Sequence, residues 1–483
     1  MEGRGGEMGE GAASLQSYPP SLGIEVVGLR NVDFATAQPQ HVYQDAHFAA
    51  SLPPISGPRL QYALSLFVPM LQEIIVDSTL LEKPGKEPGR KGGSTLVLAC
   101  ALREGILFGN LGDSGALLRI PGEPMPRYSL SPHVPGVDPE FTAGVKLEYH
   151  KSLKKRIPAL LTDIRSVMSV SAETEYKDGF CDVTLEFSRA HEIDSAQKFA
   201  LLRRIRERIE TLGPHVSMRT LAGLEPCRSL GDTQDPDLGR VPSFAWIPLK
   251  LRAGKTAEVI LATDGLFDMV SAELVCGHLN CCSAAGGSGI QQLSEKATKE
   301  WGARYPESDD IKILKMSVAA DSPPRIAGVL DGHSPFGHAV SFFGALVFEV
   351  IFEKALALVL AASADEPVDA LCKALQDCVP DLRARIDCWS QEILKDLEIC
   401  QPDVSRRISD YETSHSLVSQ WIIALLIKIQ NLPTVVAALE REQAAAEIPG
   451  ALPAAHLPVQ GAFAGAETVM VKGPQPAAME PRL

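Results

Sequence analysis

The chain has 483 residues, 45% hydrophobic and 22% charged, with a formal net charge of −14. Such a length and composition suit one large or two medium globular domains. The negative balance argues against a binder of nucleic acid or of a membrane surface, since both need basic patches. It fits a protein that collects carboxylates around cations, and it equally fits a plain solvated acidic surface.

The ten cysteines show no metal-type spacing. Cys281 and Cys282 are adjacent, and Cys372, Cys378 and Cys388 fall in a helical pattern, so reduced core thiols are expected. Met1 to Pro20 is polar and Gly-rich without an apolar stretch, unlike a signal peptide. The most apolar run, Phe342 to Ala362, contains Glu349, Glu353 and Lys354, which a bilayer helix would avoid. Trp421 to Ile429 is too short to span. The expected location is the cytoplasm, with the nucleus as the alternative, and the expected state is a monomer.

In chain order, residues 1–22 read as a disordered tail. Short apolar runs follow from Gly23 to Phe48. Leu60 to Leu81 has helical spacing, and Glu82 to Gly93 is a charged Gly/Pro-rich loop. Ser94 to Leu102 and Ile106 to Asn110 read as strands, the second continuing at Gly115 to Ile120 past the turn Gly112-Asp113-Ser114-Gly115. Their near-continuous apolar runs imply a sheet buried on both faces. Residues 140–192 are less regular, carry a basic segment at Lys151 to Arg156, and read as an insertion. Ser195 to Leu212 is an amphipathic helix.

Further on, Glu258 to Ala262 is a compact strand ending at Thr263-Asp264-Gly265. Helices are expected from about Ala272 and over Ile290 to Trp301. Ser308-Asp309-Asp310 runs into the strand Ile311 to Val318. Arg325 to Leu330 is a further apolar strand, stopping at Asp331-Gly332-His333. Helices are then expected over Ala339–Ala362, Pro367–Arg385 and Cys388–Ile399. Ser416 to Ile429 is of ambiguous type, and residues 440–483 read as a disordered Ala/Pro/Gly-rich tail.

Four acidic positions share one context, an apolar strand beside an aspartate: Asp45, Asp264, Asp309/Asp310 and Asp331. Any one Asp-Gly step is ordinary turn chemistry. As a set the four are less easily dismissed. Converging carboxylates repel one another and raise each other's pKa, and divalent cations with oxygen ligands cancel that repulsion. Two cations can also acidify a water and set it for attack on phosphorus without a protein nucleophile.

The motifs Tyr43-Gln44-Asp45, Gly93-Ser94-Thr95, Asn110-Leu111-Gly112-Asp113-Ser114, Arg228-Ser229-Leu230-Gly231-Asp232, Ala262-Thr263-Asp264-Gly265-Leu266-Phe267-Asp268, Asp309-Asp310-Ile311 and Val329-Leu330-Asp331-Gly332-His333 together resemble the metal-dependent protein serine/threonine phosphatases of type 2C. The resemblance implies an α+β fold, a four-layer α/β/β/α sandwich of two antiparallel sheets flanked by helices, over residues 23–430. It implies two Mg²⁺ or Mn²⁺ ions and phosphoprotein substrates. Carried onto this chain, it makes Asp331 the bridging ligand and adds the Gly332 carbonyl. Asp264 and Asp309 become ligands of the first metal, and Asp45 acts from the second shell or through water. His333 becomes the general acid for the leaving oxygen.

The motif order departs from the family. There, the Asp-Gly-His strand follows the Gln-Asp segment and precedes Gly-Ser-Thr. A circular permutation would return this strand to the slot between Asp45 and Gly93; a truncated second copy of the domain is the rival. The family also has an arginine shortly before its Gln-Asp; the nearest one upstream here is Arg30. Its Asp-His-Lys-Pro segment corresponds to Ser131-Pro132-His133-Val134-Pro135, without the aspartate. Two functions therefore stand: a phosphatase, or a catalytically inactive scaffold that binds phosphoproteins.

Overall fold

In the computed structural model the described residues run from 18 to 426, apart from 32–33, 35–42, 80–91, 163, 172, 176–178, 189–192, 213–215, 233–236, 286–288, 306, 335, 357–377 and 401–413. Two five-stranded antiparallel sheets form the centre. The first has the order β1 (Ile24–Leu29), β16 (Ile311–Ala319), β15 (Thr256–Ala262), β6 (Gly115–Arg119) and β7 (Tyr128–Ser129). The second has the order β14 (Ser243–Pro248), β5 (Gly105–Leu111), β4 (Leu96–Leu102), β17 (Arg325–Leu330) and β2 (Ala46–Ser51).

The two-residue period of a strand explains why β4 is apolar throughout. Val97, Ala99 and Ala101 point between the sheets, where they meet Phe108, Leu118, Val259, Leu314 and Val329. Leu96, Leu98, Cys100 and Leu102 point outward, into a core shared with the helices. Those helices are α1 (Gly57–Thr79), α7 (Gly337–Leu346) with its π-helical continuation Val347–Ile351, α8 (Val379–Cys400) and α9 (residues 414–426). Across the molecule, α5 (Ala272–Ala285) and α6 (Gly289–Arg304) cover the first sheet through Val275, Leu279, Leu293, Ile260 and Ile313. The layers are thus helix, sheet, sheet, helix, as expected from the sequence.

The late strand β17 lies between β2 and β4. Leu330 is opposite Ala46 and Val329 is opposite Val97. Its entry is fixed by Arg325, whose buried guanidinium donates to the Ser317 carbonyl. Halfway along, Gly328 leaves room for a ring: a Cβ there would run into Phe48. The Phe48 ring fills that space and stacks on Phe348 at 4.6 Å between centroids.

Residues 141–227 form a separate packed unit beside the sandwich. Its sheet has the order β10 (Thr174–Glu175), β11 (Phe180–Phe187), β8 (Val145–His150) and β12 (Val216–Thr220), with β9 (Met168–Val170) on β11. α2 (Ile157–Thr162) and α3 (Ser195–Glu210) complete a core that runs from Phe141 to Cys227. An Asp194–Gln197 capping box starts α3.

Several boundaries differ from the sequence reading. The insertion extends past 192, because Leu202, Ile205 and Met218 are needed to bury the inner face of its sheet. The strand at 115–119 does not continue the one before it: the chain crosses from β5 in the second sheet to β6 in the first at Gly112, whose φ of 121° suits glycine. The expected break between helices at 385–388 is absent, and α8 is one helix. Pro20–Leu22 is a 3₁₀ turn with Leu22 in the inter-sheet core, so the expected tail ends sooner. The remainder of that tail, and the C-terminal one at 440–483, lie outside the described residues.

Gly328→Val is expected to lower stability to urea by about 1–3 kcal/mol, the range for overpacking a filled core. An unchanged unfolding midpoint would show that β17 does not occupy this slot.

Candidate metal centre

Three short strands gather at one end of the sandwich: β3 (Gly93–Ser94), flanked by β13 (Leu230–Gly231) and β18 (Gly332–His333). Asp331 sits between β17 and β18, and its carbonyl accepts the Thr95 N–H at 2.8 Å. Gly332 follows because no side chain fits. A Cβ there would lie 2.6 Å from the Gln44 carbonyl oxygen and 2.6 Å from the Gly337 backbone.

Asp264 begins the short helix α4 (Asp264–Phe267) directly after β15. The next residue must be small: a Cβ on Gly265 would meet the Asp310 carbonyl. The Gly265 carbonyl in turn accepts the Trp301 indole N–H at 2.7 Å. Asp113 stands on the crossing between the sheets, with Gly112 N–H donated to His133 Nδ1 at 3.1 Å. These folds bring one carboxylate oxygen each from Asp113, Asp264 and Asp331 within 4.8 Å of one another.

The electrostatics match that crowding. Asp331 is pushed up to about 7, by burial first and the Asp309 carboxylate second. Burial, followed by the Asp331 charge, holds Asp45, Asp113 and Asp264 well above the usual carboxylate range. Asp268, one helical turn past Asp264, is pushed up to about 8 by burial, Glu225 and Asp309. Both oxygens of Asp45, and Oδ1 of Asp113 and Asp264, are buried without a hydrogen-bond partner. Buried carboxylate oxygens left bare are costly. An all-oxygen donor set of this charge fits a hard divalent cation, so the residues present suit Mg²⁺ or Mn²⁺.

Asp309 is close enough to raise Asp331, Asp264 and Asp45, and its Oδ1 accepts the Asp310 N–H at 2.8 Å. Asp310 itself turns away from the cluster. Its two oxygens accept the N–H groups of Asn31 at 2.7 Å and Gln44 at 3.0 Å. One side chain thereby ties the end of β1 to the segment carrying Asp45. Arg30, exposed and just past β1, makes its charge felt at Tyr43 and Lys312.

Lys312 is a feature sequence reasoning missed. It is buried, its ammonium lies 4.6 Å from the centre of the Tyr43 ring, and burial lowers it to about 8 against the pull of Asp45 and Asp310. Asp113, a member of the acidic cluster, and Asp268 beside it were also overlooked, although both lie in quoted motifs. Their signals were a glycine before Asp113 and the i, i+4 spacing of Asp264 and Asp268, which stacks them on one helical face.

His333 shares the end of the ladder. Its Nε2–H donates to Asp232 Oδ2 at 2.6 Å, and Ser229 Oγ donates to the same oxygen at 2.6 Å. Burial alone would lower the His333 pKa, but the Asp232 carboxylate overrides it and the net shift is upward. Arg228, by contrast, is committed elsewhere. It makes two bonds of 2.6 Å to Asp138 and one of 2.8 Å to the Val241 carbonyl, tying together the segments that enter and leave the 141–227 unit.

Residues 203–308 match the family model described as Protein phosphatase 2C. Over this stretch the chain is similar to protein phosphatase 2C. It holds Asp232, Asp264 and Asp268, and stops one residue before Asp309. The protein phosphatase 2C match supports the family, the enzyme class of a protein serine/threonine phosphatase, and the Mg²⁺ or Mn²⁺ expected from the motifs. No curated protein matches the chain.

Solved structures similar to the chain include a serine/threonine phosphatase 2C from Toxoplasma gondii, 16% identical, covering 63% of this chain and 96% of that one with a TM-score of 0.30. A serine/threonine phosphatase from Mycobacterium tuberculosis is 14% identical, over 63% of this chain and 90% of that one, at 0.26. The catalytic domain of a serine/threonine phosphatase in complex with two manganese ions is 11% identical, over 63% and 91%, at 0.24. At such scores these likenesses carry no weight for the site. No helix among the described residues is long and apolar enough to cross a membrane.

For the metal-free chain the raised carboxylates have a definite sign. Folded Asp331 and Asp268 hold protons up to about 7 and 8, whereas an exposed aspartate releases its proton at about pH 4. Between these limits the folded state binds more protons, so stability falls as pH rises from about 4 to 8. Thermal melts without metal are expected to show that decline, and Mn²⁺ at neutral pH to reverse it, by about 2.7 kcal/mol at a hundredfold excess over Kd. Asp331→Asn should flatten the pH decline and abolish most of the Mn²⁺ effect.

Proposed function

We propose that the chain hydrolyses phosphoserine and phosphothreonine in proteins, with Mg²⁺ or Mn²⁺ as its cofactor. The observation that carries this reading is the buried acidic cluster: oxygens of Asp113, Asp264 and Asp331 within 4.8 Å, with Oδ1 of Asp113 and of Asp264 bare, beside a stretch similar to protein phosphatase 2C. When bound, two divalent cations supply an acidified water and neutralise charge on phosphorus. Asp331 is the central ligand, since its charge is the strongest felt by Asp45, Asp113 and Asp264. The Gly332 carbonyl, Asp113, Asp264 and Asp309 complete the set, and Asp45 supports it from behind. Arg30 offers the exposed guanidinium for the substrate's phosphate, as a forked donor suited to its oxygens. His333 gives its proton to the departing serine or threonine oxygen.

The reading takes residues 23–430 as a single circularly permuted domain acting on phosphoproteins, as a monomer in the cytoplasm. The pairing of β17 with both β2 and β4 supports the permutation. A second reading, an inactive phosphoprotein-binding scaffold, is favoured by Lys312, a fixed cation already placed near Asp45, and by the lack of an aspartate in Ser131–Pro135.

Phosphate release from a phosphothreonine peptide, with and without Mn²⁺, separates the two. Release is expected only with metal, and Asp331→Ala is expected to abolish it. Binding of the peptide without release by the intact chain would favour the scaffold. Arg30→Ala is expected to raise KM roughly tenfold or more, the scale of one charge-assisted contact, while leaving Mn²⁺ stabilisation intact.

A further inference from the structure

Asp232 and its surroundings are built with more care than a surface turn requires. The residue is nearly buried and adopts a φ of 46°, in the left-handed region, directly after Gly231 at 82°. Non-glycine residues in that region are held there by their surroundings. Three contacts do so here. The Asp232 N–H donates to the Gly92 carbonyl at 3.1 Å. Gln72, from the middle of α1, brackets the preceding glycine: its Nε2–H donates to the Gly231 carbonyl at 2.9 Å, and its Oε1 accepts the Gly231 N–H at 2.7 Å. Ser229 Oγ donates to Asp232 Oδ2 at 2.6 Å. Space is cleared as well, because a Cβ on Gly93 would run into the Asp232 carboxylate and stand 2.6 Å from His333 Nε2.

We propose that Asp232 is the positioning residue of the general acid: it holds His333 by Nε2–H, so that the proton delivered to the leaving oxygen is carried on Nδ1. This rests on the phosphatase reading above and extends it to a residue outside the metal-binding set. In the transfer, water oxygen forms a bond to phosphorus as the bond from phosphorus to the serine or threonine oxygen breaks. The leaving oxygen keeps the bonding pair, takes the Nδ1 proton and departs as the neutral alcohol. The ring is left neutral with its remaining proton on Nε2, the form that the Asp232 carboxylate already accepts. Asp232 thus selects the tautomer of the product state, as well as the orientation of the ring. Ser229 and Gln72 hold the carboxylate and its backbone so that one oxygen faces the imidazole.

The test compares two leaving groups on the full chain with saturating Mn²⁺. A phosphothreonine peptide releases an alcohol, which needs a proton. p-Nitrophenyl phosphate releases a phenolate, which does not. Asp232→Asn is expected to lower kcat on the peptide by about 10²–10³-fold, the scale of general acid catalysis, and on p-nitrophenyl phosphate by less than about tenfold. His333→Gln should give the same split, and the double variant little further loss. In nitrogen NMR of the wild-type chain without metal, His333 should carry its proton on Nε2 when neutral, and Asp232→Asn should mix the two tautomers.

Equal losses on both substrates, or a tautomer unmoved by Asp232→Asn, would overturn the positioning role while leaving the phosphatase reading standing. A wild-type chain that releases phosphate from neither substrate overturns both. Should Asp232→Asn not fold, Ser229→Ala removes only the hydroxyl that steadies the carboxylate. It is expected to show a smaller split in the same direction, and a parallel loss on both substrates would again overturn the role.

Discussion

Mutual repulsion among buried acids governs this molecule. Asp331 lies where Asp45, Asp113 and Asp264 all feel it most, and Asp309 and Asp268 crowd the same end of the sandwich. Water would relieve that repulsion by screening, but the site is buried. The backbone must therefore hold the acids together against their charge. It does so with strand ends and turns anchored in two continuous apolar cores, and with glycines at 265 and 332, where the backbones approach too closely for a side chain. Without a cation the arrangement is under electrostatic load; with one, the same oxygens become an asset.

The topology shows how indifferent a sheet is to the order in which its strands are made. β17 lies about two-thirds of the way along the chain, yet it pairs on both edges with strands from the first quarter. Its side chains alternate as a central strand requires, with Ala327 and Val329 between the sheets and Ile326 and Leu330 toward the helices. Strand slots are selected by complementary surface and hydrogen-bond edges, and loop closure over a long chain costs only logarithmically more than over a short one. The hydrogen bond from Arg325 to the Ser317 carbonyl then sets where the strand begins.

Much of this was legible in the sequence. The apolar runs at 96–102, 105–109 and 326–330 are strands because nothing polar interrupts them, and burial on both faces follows from the same fact. Motif order, compared with that of the family the chain resembles, suggested that the Asp-Gly-His strand belonged beside Gln-Asp, with a truncated second copy as the rival. Other features were hidden. Lys312 reads as an ordinary strand residue, and only the fold turns it toward Tyr43 and Asp45. Asp310 resembles a second ligand in the sequence, yet its oxygens are occupied by two backbone N–H groups from distant segments. The 141–227 unit was underestimated because its central strands are half polar, and its hydrophobic face emerges only when α3 is folded over them.

The insertion of β17 between β2 and β4 has a consequence for biosynthesis. A ribosome completes both neighbours long before it reaches residue 325, and has also made every other acid of the cluster by then. Until then β2 and β4 face an empty lane, each with an unpaired backbone edge of the kind that recruits foreign strands. The unfinished polypeptide also lacks Asp331, so its cation pocket is incomplete. Closure of the sheet and assembly of the ion site therefore happen in one late event, and no truncated translation product ending before Asp331 carries the finished centre.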